Sequence, residues 1–264
     1  MSKKPDRPQA GNPAFTRMDL LALLAVLALL LMVVLPALGR GTGKTTIAQC
    51  AANLEQYDMA LQIYGGENQD NLPTITGGNW AWDAPASYLA LITNSGVKWT
   101  SLYCPGTSVR FTEQDNWKLL TFAPGAFGVL GYASTLPGVA SLQGTTEGTY
   151  IFPTNVNATL TMQRLSYSGI YYPITPGTRP LVADATLTSF NGVPPPAGPA
   201  LNAAMLTYNW TSINGGYIKP HLSPHLNGLI PLGGNVGMLD GHVEWRNFTN
   251  MLPRAGGAAP YFFW

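Results

Sequence analysis

The chain has 264 residues with 14 basic and 13 acidic side chains, so that only 10% of its residues are charged. The net charge of +1 excludes the basic surface of a nucleic-acid-binding protein, and no nucleic-acid partner is predicted. The 29 glycines and 22 prolines make up about a fifth of the chain, which excludes a long helical bundle and favours short strands joined by turns.

The first predicted element is an apolar helix. Residues 20–38 read LLALLAVLALLLMVVLPAL, a charge-free run close to the length needed to cross a bilayer. Basic residues precede the run, so the positive-inside rule predicts a cytoplasmic N-terminus and an exported remainder. A secretory signal peptide, cut within the Pro36–Gly39 segment, is the alternative that spacing alone leaves open.

The segment before the apolar run carries a second signal. Its residues are Ala14, Phe15, Thr16, Arg17, Met18 and Asp19. A carboxylate at a membrane boundary is costly without a partner. Cleavage between Ala14 and Phe15 would create an α-amine one helical turn from Asp19, and that amine, on the same or a neighbouring chain, would neutralise the carboxylate.

This segment resembles the N-terminus of type IV pilin-like proteins, and more closely that of pseudopilins. The family has a short basic leader, a small residue, Phe-Thr, an acidic residue at the fifth place after the cleavage site, and an apolar helix. These places are filled here by Ala14, Phe15, Thr16 and Asp19, and Pro36 falls where the family often has proline. The departures are Ala14 in place of the usual Gly and Asp19 in place of the usual Glu.

The resemblance continues beyond the apolar run. Cys50-Ala-Ala-Asn-Leu-Glu-Gln, Tyr103-Cys104-Pro105 and the hairpin motif Asp240-Gly241-His242-Val243-Glu244-Trp245 follow the order seen in a large group of bacterial pseudopilin-like proteins. It implies a non-enzymatic subunit of a type IV pilus-like filament or a type II secretion pseudopilus. Its precursor would be held in the bacterial inner membrane, cleaved before Phe15 by a prepilin peptidase, and methylated there. Self-assembly through the N-terminal helix would involve Phe15, Asp19 and Pro36.

The predicted fold class is α+β and pilin-like: a long N-terminal transmembrane helix packed on an antiparallel β-sheet domain. Residues 1–14 form the leader, residues 15–64 the helix and residues 65–264 an extracytoplasmic β-rich domain. Within the helix, residues 20–38 lie in the membrane, and residues 36–44 are expected to kink or partly melt at Pro36 and three glycines.

Strands are predicted near residues 119–122, 127–132, 149–152, 158–162, 179–183, 205–210 and 235–246. The last of these contains Asp240-Gly241 between apolar runs, which indicates a hairpin with a two-residue turn.

Cys50 and Cys104 are the two cysteines of the chain. In an exported domain, two cysteines most simply form one disulfide, which would join the helix to the first globular segment. Closing a loop of about 55 residues would stabilise the domain by about 4 kcal/mol in the chain-entropy model. The alternative is a pair of small buried thiols.

Metal sites are weakly indicated, and no cofactor is predicted. His225, Asp240 and His242 are the candidate ligands near the C-terminus, although hydrogen-bonded histidines are the simpler interpretation. The resemblance also raises calcium, for which oxygen ligands are available in the run after the helix. These oxygen ligands are Glu67, Asp70 and Asn71.

The alternative function is a membrane-anchored envelope protein that binds a ligand and does not polymerise. Carbohydrate is one candidate ligand, because the tryptophans and the aromatic tail 261–264 offer stacking surfaces. Residues 39–46 lack the first glycine and the preceding strand of a phosphate-binding loop, and no enzymatic motif is found. The N-terminal residue of the mature protein distinguishes the two functions: Phe15 for a filament subunit, Met1 or Ser2 for an anchored protein.

Overall fold

The structure is a computed structural model. It describes residues 17–76, 80–107, 111–122, 127–139, 155–156, 164–167, 170–173, 175–189, 205–214, 219–253 and 260–264. Contacts within the chain divide it into two units, Met1–Lys44 and Thr45–Trp264. The predicted strands at 149–152 and 158–162, and the cleavage site at Ala14 and Phe15, lie outside the described residues.

Helix α1 runs without interruption from Arg17 to Glu67. Residues 36–44, where a kink or a partly melted stretch is predicted, are helical throughout, although Pro36 and the nearby glycines lower helix propensity. Nucleating a helix costs more free energy than extending one, so a few residues of low helix propensity inside a helix of 51 residues need not end it.

The part of α1 in the first unit exposes its apolar side chains. Every described side chain from Arg17 to Leu30 is exposed. Among the described residues, we find no helix with both the length and the apolar character needed to cross a membrane.

The predicted fold class is wrong in two respects. The transmembrane helix is not found in the described part of the chain. The predicted single sheet domain is instead a mixture of helices and several small sheets, because the strands are two to six residues long and are separated by turns rich in Gly and Pro.

The second unit contains one four-stranded antiparallel sheet. Its strands are β3 (Tyr132–Ser134), β6 (Pro180–Asp184), β10 (Gly233–Met238) and β11 (Val243–Asn247), in the spatial order β11-β10-β6-β3. The described residues also form four two-stranded antiparallel sheets. The paired strands are β1 (Asp83–Pro85) with β2 (Phe127–Val129), β4 (Arg164–Tyr167) with β5 (Ile170–Pro173), β7 (Thr186–Thr188) with β12 (Tyr261–Phe263), and β8 (Leu226–Asn227) with β9 (Ile230–Pro231).

The second-unit part of α1 packs on this four-stranded sheet. Buried side chains recur along one face of the helix, at Cys50, Leu54, Tyr57 and Leu61. The Tyr57 ring lies 6.3 Å from the ring of Tyr132 on β3. This face and the sheet form the main core of the unit.

Two predicted strands are helical in the structure. Residues 119–122 belong to helix α3 (Glu113–Phe122), and Met205–Thr207 form a short 3-10 helix. Helix α2 covers Ala86–Asn94. The other strand predictions that fall on described residues overlap observed strands. The range 127–132 overlaps β2 and β3, the range 179–183 overlaps β6, and the range 235–246 overlaps β10 and β11.

The predicted C-terminal hairpin is present, but its turn is longer than predicted. Gly237 pairs with Val243, and the backbone N–H of Met238 donates to the His242 carbonyl at 2.9 Å. The loop therefore contains three residues, ending at Gly241. Gly241 has φ +89°, the left-handed conformation that three-residue hairpin loops require at this place.

Candidate functional site

Four buried side chains meet in the second unit: Cys50, Cys104, Asp184 and His225. The two sulfurs, a carboxylate oxygen and an imidazole nitrogen all lie within 4.8 Å of one another. We call this group the Cys/Asp/His cluster. It could hold a metal ion, and it is the one group of this kind among the described residues.

Four separate segments carry the members of the Cys/Asp/His cluster. Cys50 lies on the buried face of α1, and Cys104 follows the 3-10 helix Trp99–Leu102. Asp184 is the last residue of β6, and His225 immediately precedes β8. A ligand held here would join the helix, the central sheet and two loops.

Asp184 contacts two other members of the cluster, Cys50 and His225. The Cys50 thiol donates to Asp184 Oδ1 at 2.7 Å, and His225 Nε2 lies 3.1 Å from Asp184 Oδ2. His225 also contacts Cys104, whose sulfur lies 3.4 Å from the same Nε2 atom. Asn235 fixes the carboxylate by donating from its backbone N–H at 2.6 Å and from its Nδ2 at 3.2 Å.

The backbone around His225 is shaped for this contact. His225 has φ +51°, a conformation that is uncommon for residues other than glycine. Gly106 lets the segment carrying Cys104 approach closely, because a Cβ at position 106 would lie 3.0 Å from the His225 backbone nitrogen. Two loops distant in sequence are thus held against each other at the cluster.

Burial and charge set the protonation of the ligand-free cluster. Burial raises the pKa of the Cys50 thiol well above its usual value, and burial also raises the pKa of Cys104. For His225, burial opposes protonation, but the hydrogen bond and the charge of Asp184 outweigh it and raise its pKa to about 10. Without a metal, the cluster at neutral pH therefore holds two protonated thiols and an imidazolium paired with the Asp184 carboxylate.

The predicted disulfide between Cys50 and Cys104 is not formed. Both cysteines are free thiols, and the Cys50 sulfur instead donates a hydrogen bond to Asp184. The sequence correctly paired the two cysteines in space, since both belong to the Cys/Asp/His cluster. Their chemistry is that of two buried thiols, the alternative that the sequence left open.

The structure separates the candidate metal ligands of the C-terminal segment. His225 belongs to the cluster, whereas His242 and Asp240 contact each other at the exposed hairpin turn, with Nδ1 2.5 Å from Oδ1. Glu67 and Asp70, two of the calcium candidates, are exposed and lie outside the cluster. Two sulfurs and an imidazole also differ from the oxygen ligands that calcium prefers.

The aromatic side chains mostly form core rather than a stacking surface. Trp82, Trp210 and Trp264 are each 1% exposed. Trp80 stacks on Trp82 with ring centroids 5.6 Å apart. The tail contributes to the core through Phe262 and Phe263, which are also buried. Part of the sugar-stacking surface suggested by the sequence is therefore inside the protein, whereas Trp80, Trp99 and Trp245 are half-buried and Trp117 is exposed.

Asp184 is the candidate ligand that the sequence did not indicate. It ends the run Pro180-Leu-Val-Ala-Asp184, an apolar strand followed by a carboxylate, and that placement was the available signal. Comparison of the chain with protein-family models, with curated proteins and with solved structures finds no match. A function for the chain therefore rests on its own residues.

Proposed function

We propose that the chain is a structural, non-enzymatic subunit of a type IV pilus-like filament or a type II secretion pseudopilus of the bacterial cell envelope. The observation that carries the proposal is the exposed apolar surface of α1 in the first unit. Ten large apolar side chains are exposed there. They are Met18, Leu20, Leu21, Leu23, Leu24, Val26, Leu27, Leu29, Leu30 and Met32.

These ten side chains surround the helix. Successive residues of an α-helix are turned by about 100°, so these apolar residues together point in all directions, with Met18, Leu29 and Met32 filling the sector that residues 20–27 leave open. A helix that is apolar on all sides is stable only when it is covered on all sides. One partner helix covers a single stripe, so several neighbouring copies are needed, and a repeating contact of this kind that does not close produces a filament.

The apolar surface is large enough to drive assembly. The leucines among the ten side chains are between 48% and 64% exposed. Burying the exposed half of a leucine stabilises an assembly by about 1 kcal/mol, so ten such side chains contribute about 10 kcal/mol per subunit before the cost of association.

In the proposed filament, Asp19 and Phe15 would set the axial register between neighbouring subunits. Asp19 is an exposed carboxylate in the first turn of α1, within the apolar surface. Cleavage before Phe15 by a prepilin peptidase would supply an α-amine that pairs with Asp19 of a neighbouring copy. Mass spectrometry of the mature chain should find Phe15 as its first residue, and a chain that begins at Met1 or Ser2 would contradict this step.

Filament assembly is tested by polar substitutions on α1. The double variant Leu29→Gln/Leu30→Gln should abolish the regular filaments that the wild type forms when detergent is removed, as seen by electron microscopy. Leu229→Gln is the matched control, because Leu229 is 67% exposed and Leu29 is 64% exposed. Leu229 lies in the turn between β8 and β9, so this variant should assemble normally.

Two results would overturn the proposal. The first is a processed wild-type chain that stays monomeric after the detergent is removed. The second is normal filament formation by the double variant. Circular dichroism of each variant should match the wild type, because the substituted side chains are exposed and the second unit is untouched.

A further inference from the structure

We propose that the Cys/Asp/His cluster binds one zinc ion. This inference is independent of filament assembly, because all four ligands belong to the second unit. A zinc ion here would be structural, since its four coordination places are filled by protein side chains and none is left for a substrate.

The ligand types select the metal. Zinc in proteins is bound by cysteine sulfur, histidine nitrogen and carboxylate oxygen, and the cluster offers two, one and one of these. Thiolate ligands disfavour magnesium and calcium, which require oxygen ligands. Iron–sulfur clusters usually take four cysteines, and the chain has two.

The distances fit a tetrahedral ion with small movements. Around zinc, a sulfur and a nitrogen ligand lie about 3.5 Å apart, and two sulfurs about 3.8 Å apart. The Cys104 sulfur and His225 Nε2 lie 3.4 Å apart, and the same nitrogen lies 3.1 Å from Asp184 Oδ2. The Cys50 sulfur lies 2.7 Å from Asp184 Oδ1, whereas a sulfur and an oxygen ligand around zinc lie about 3.6 Å apart, so these two side chains would separate as the ion binds. All four ligand atoms fall within 4.8 Å of one another.

Neighbouring groups hold the ligands in place. Asn235 donates twice to the Asp184 carboxylate, and the hydroxyl of Tyr132 lies 3.6 Å from the Cys50 sulfur. Contacts of this kind orient metal ligands and tune their basicity. The left-handed backbone of His225 and the close approach at Gly106 aim Nε2 at the other ligands before any ion binds.

Binding exchanges protons for the ion. Each thiol releases its proton to water as its sulfur becomes a zinc ligand, and the His225 imidazolium releases its Nε2 proton so that the neutral nitrogen can bind. No electron is transferred, and the bonds broken are the two S–H bonds and the Nε2–H bond. A disulfide between the two cysteines would consume both ligands, so zinc binding and disulfide formation exclude each other.

The test begins with the full chain, purified under reducing conditions without a chelator. Elemental analysis should find one zinc ion per chain. Cobalt added to the chelator-treated protein should produce the near-ultraviolet charge-transfer absorption of thiolate-bound cobalt. Thiol reagents should react with the two cysteines slowly while zinc is bound, and full modification should release one zinc ion for every two thiols.

Substitutions locate the ion. Cys104→Ser and His225→Gln should each weaken zinc binding by roughly 100-fold or more, and Tyr132→Phe, which removes only a neighbouring contact, by about 10-fold. His242→Gln is the matched control, because His242 is a histidine of the exposed hairpin turn outside the cluster. It should leave zinc binding unchanged.

The wild-type measurements keep the proposal falsifiable if a ligand variant fails to fold. A reduced wild-type chain that holds no zinc after titration, or whose two thiols form a disulfide in preference to binding zinc, would overturn the proposal. Zinc retained by His225→Gln but lost in His242→Gln would also overturn it, because the ion would then lie at the hairpin turn.

Discussion

Asp58 on α1 is expected to make the second unit less stable as the pH rises. The carboxyl group is fully buried, and neither oxygen has a hydrogen-bond partner among the described residues. It lies against Gly237 of β10, where a Cβ would collide with the carboxylate. Burial, and then the charges of Asp240 and Glu55, raise the pKa of Asp58 well above its usual value.

The size of the effect follows from proton linkage. In the unfolded chain, Asp58 loses its proton near pH 3.9, whereas the folded protein keeps the proton to a higher pH. The stability contributed by the neutral carboxyl is therefore complete below pH 3.9 and is lost as the pH rises towards the folded pKa, by up to about 1.4 kcal/mol for each pH unit. Between pH 4.5 and 5.5 the loss is at most about 1.2 kcal/mol.

The Asp58→Asn variant isolates this contribution, because asparagine has nearly the same shape and does not titrate. Urea unfolding followed by tryptophan fluorescence should show the variant gaining stability relative to the wild type, by up to about 1.2 kcal/mol, between pH 4.5 and 5.5. Asp70→Asn is the matched control, since Asp70 is exposed and asparagine tolerates its φ of +63°. A stability difference between Asp58→Asn and the wild type that does not change with pH would refute the reasoning.

Three further outcomes are expected. Burial lowers the pKa of His221 to about 4, so an NMR titration of its ring should show no protonation above pH 5, and stability should fall by about 3 kcal/mol as the pH drops from 6.5 to 4; a midpoint near 6.5 would contradict this. Gly241→Ala should lower the free energy of unfolding by about 1 kcal/mol, because Gly241 has φ +89°. Gly66→Ala should instead raise the free energy of unfolding by up to about 1 kcal/mol, because Gly66 is helical and a Cβ there meets open space. If the two alanine variants changed the free energy of unfolding equally, the left-handed conformation of Gly241 and the helical one of Gly66 would be contradicted.

Local patterns in the sequence were sufficient for some elements. Cys50, Leu54 and Leu61 recur at helical spacing within the predicted helix, and all three are buried on one face of α1. The Asp240-Gly241 pair predicted a hairpin, although the turn contains three residues and not two. These features depend on neighbours a few residues apart, which is the range over which a sequence pattern carries information.

Helix α3 was missed although a local signal was present. The backbone N–H of Asp115 donates to Thr112 Oγ1 at 3.2 Å, and the backbone N–H of Thr112 donates to Asp115 Oδ2 at 3.0 Å. This reciprocal pair is a capping box, here with Asp in place of Glu at the fourth position. The apolar residues at 119–122 suit a strand as well as a helix, and the capping box before them distinguishes the two.

The Cys/Asp/His cluster could not be predicted from spacing. Cys50 and Asp184 are 134 residues apart, and Cys104 and His225 are 121 residues apart. No short motif links such positions, since the contact exists only after the sheet order β11-β10-β6-β3 has brought the segments together. The cysteines alone suggested a disulfide because their other two neighbours were not visible in the sequence.

The position of β10 has a consequence for biosynthesis. The buried face of α1 meets groups from the far end of the chain: Asn235 Nδ2 donates to the Ile47 carbonyl across 188 residues, and Gln62 Nε2 donates to the Leu239 carbonyl across 177. At 5–20 residues per second, a ribosome needs about 10–40 s to make the intervening chain. During that interval the helix face has only earlier partners such as Tyr132 of β3, so the second unit cannot complete its fold until β10 has been synthesised. A chaperone that holds apolar helices therefore has a defined time in which to act.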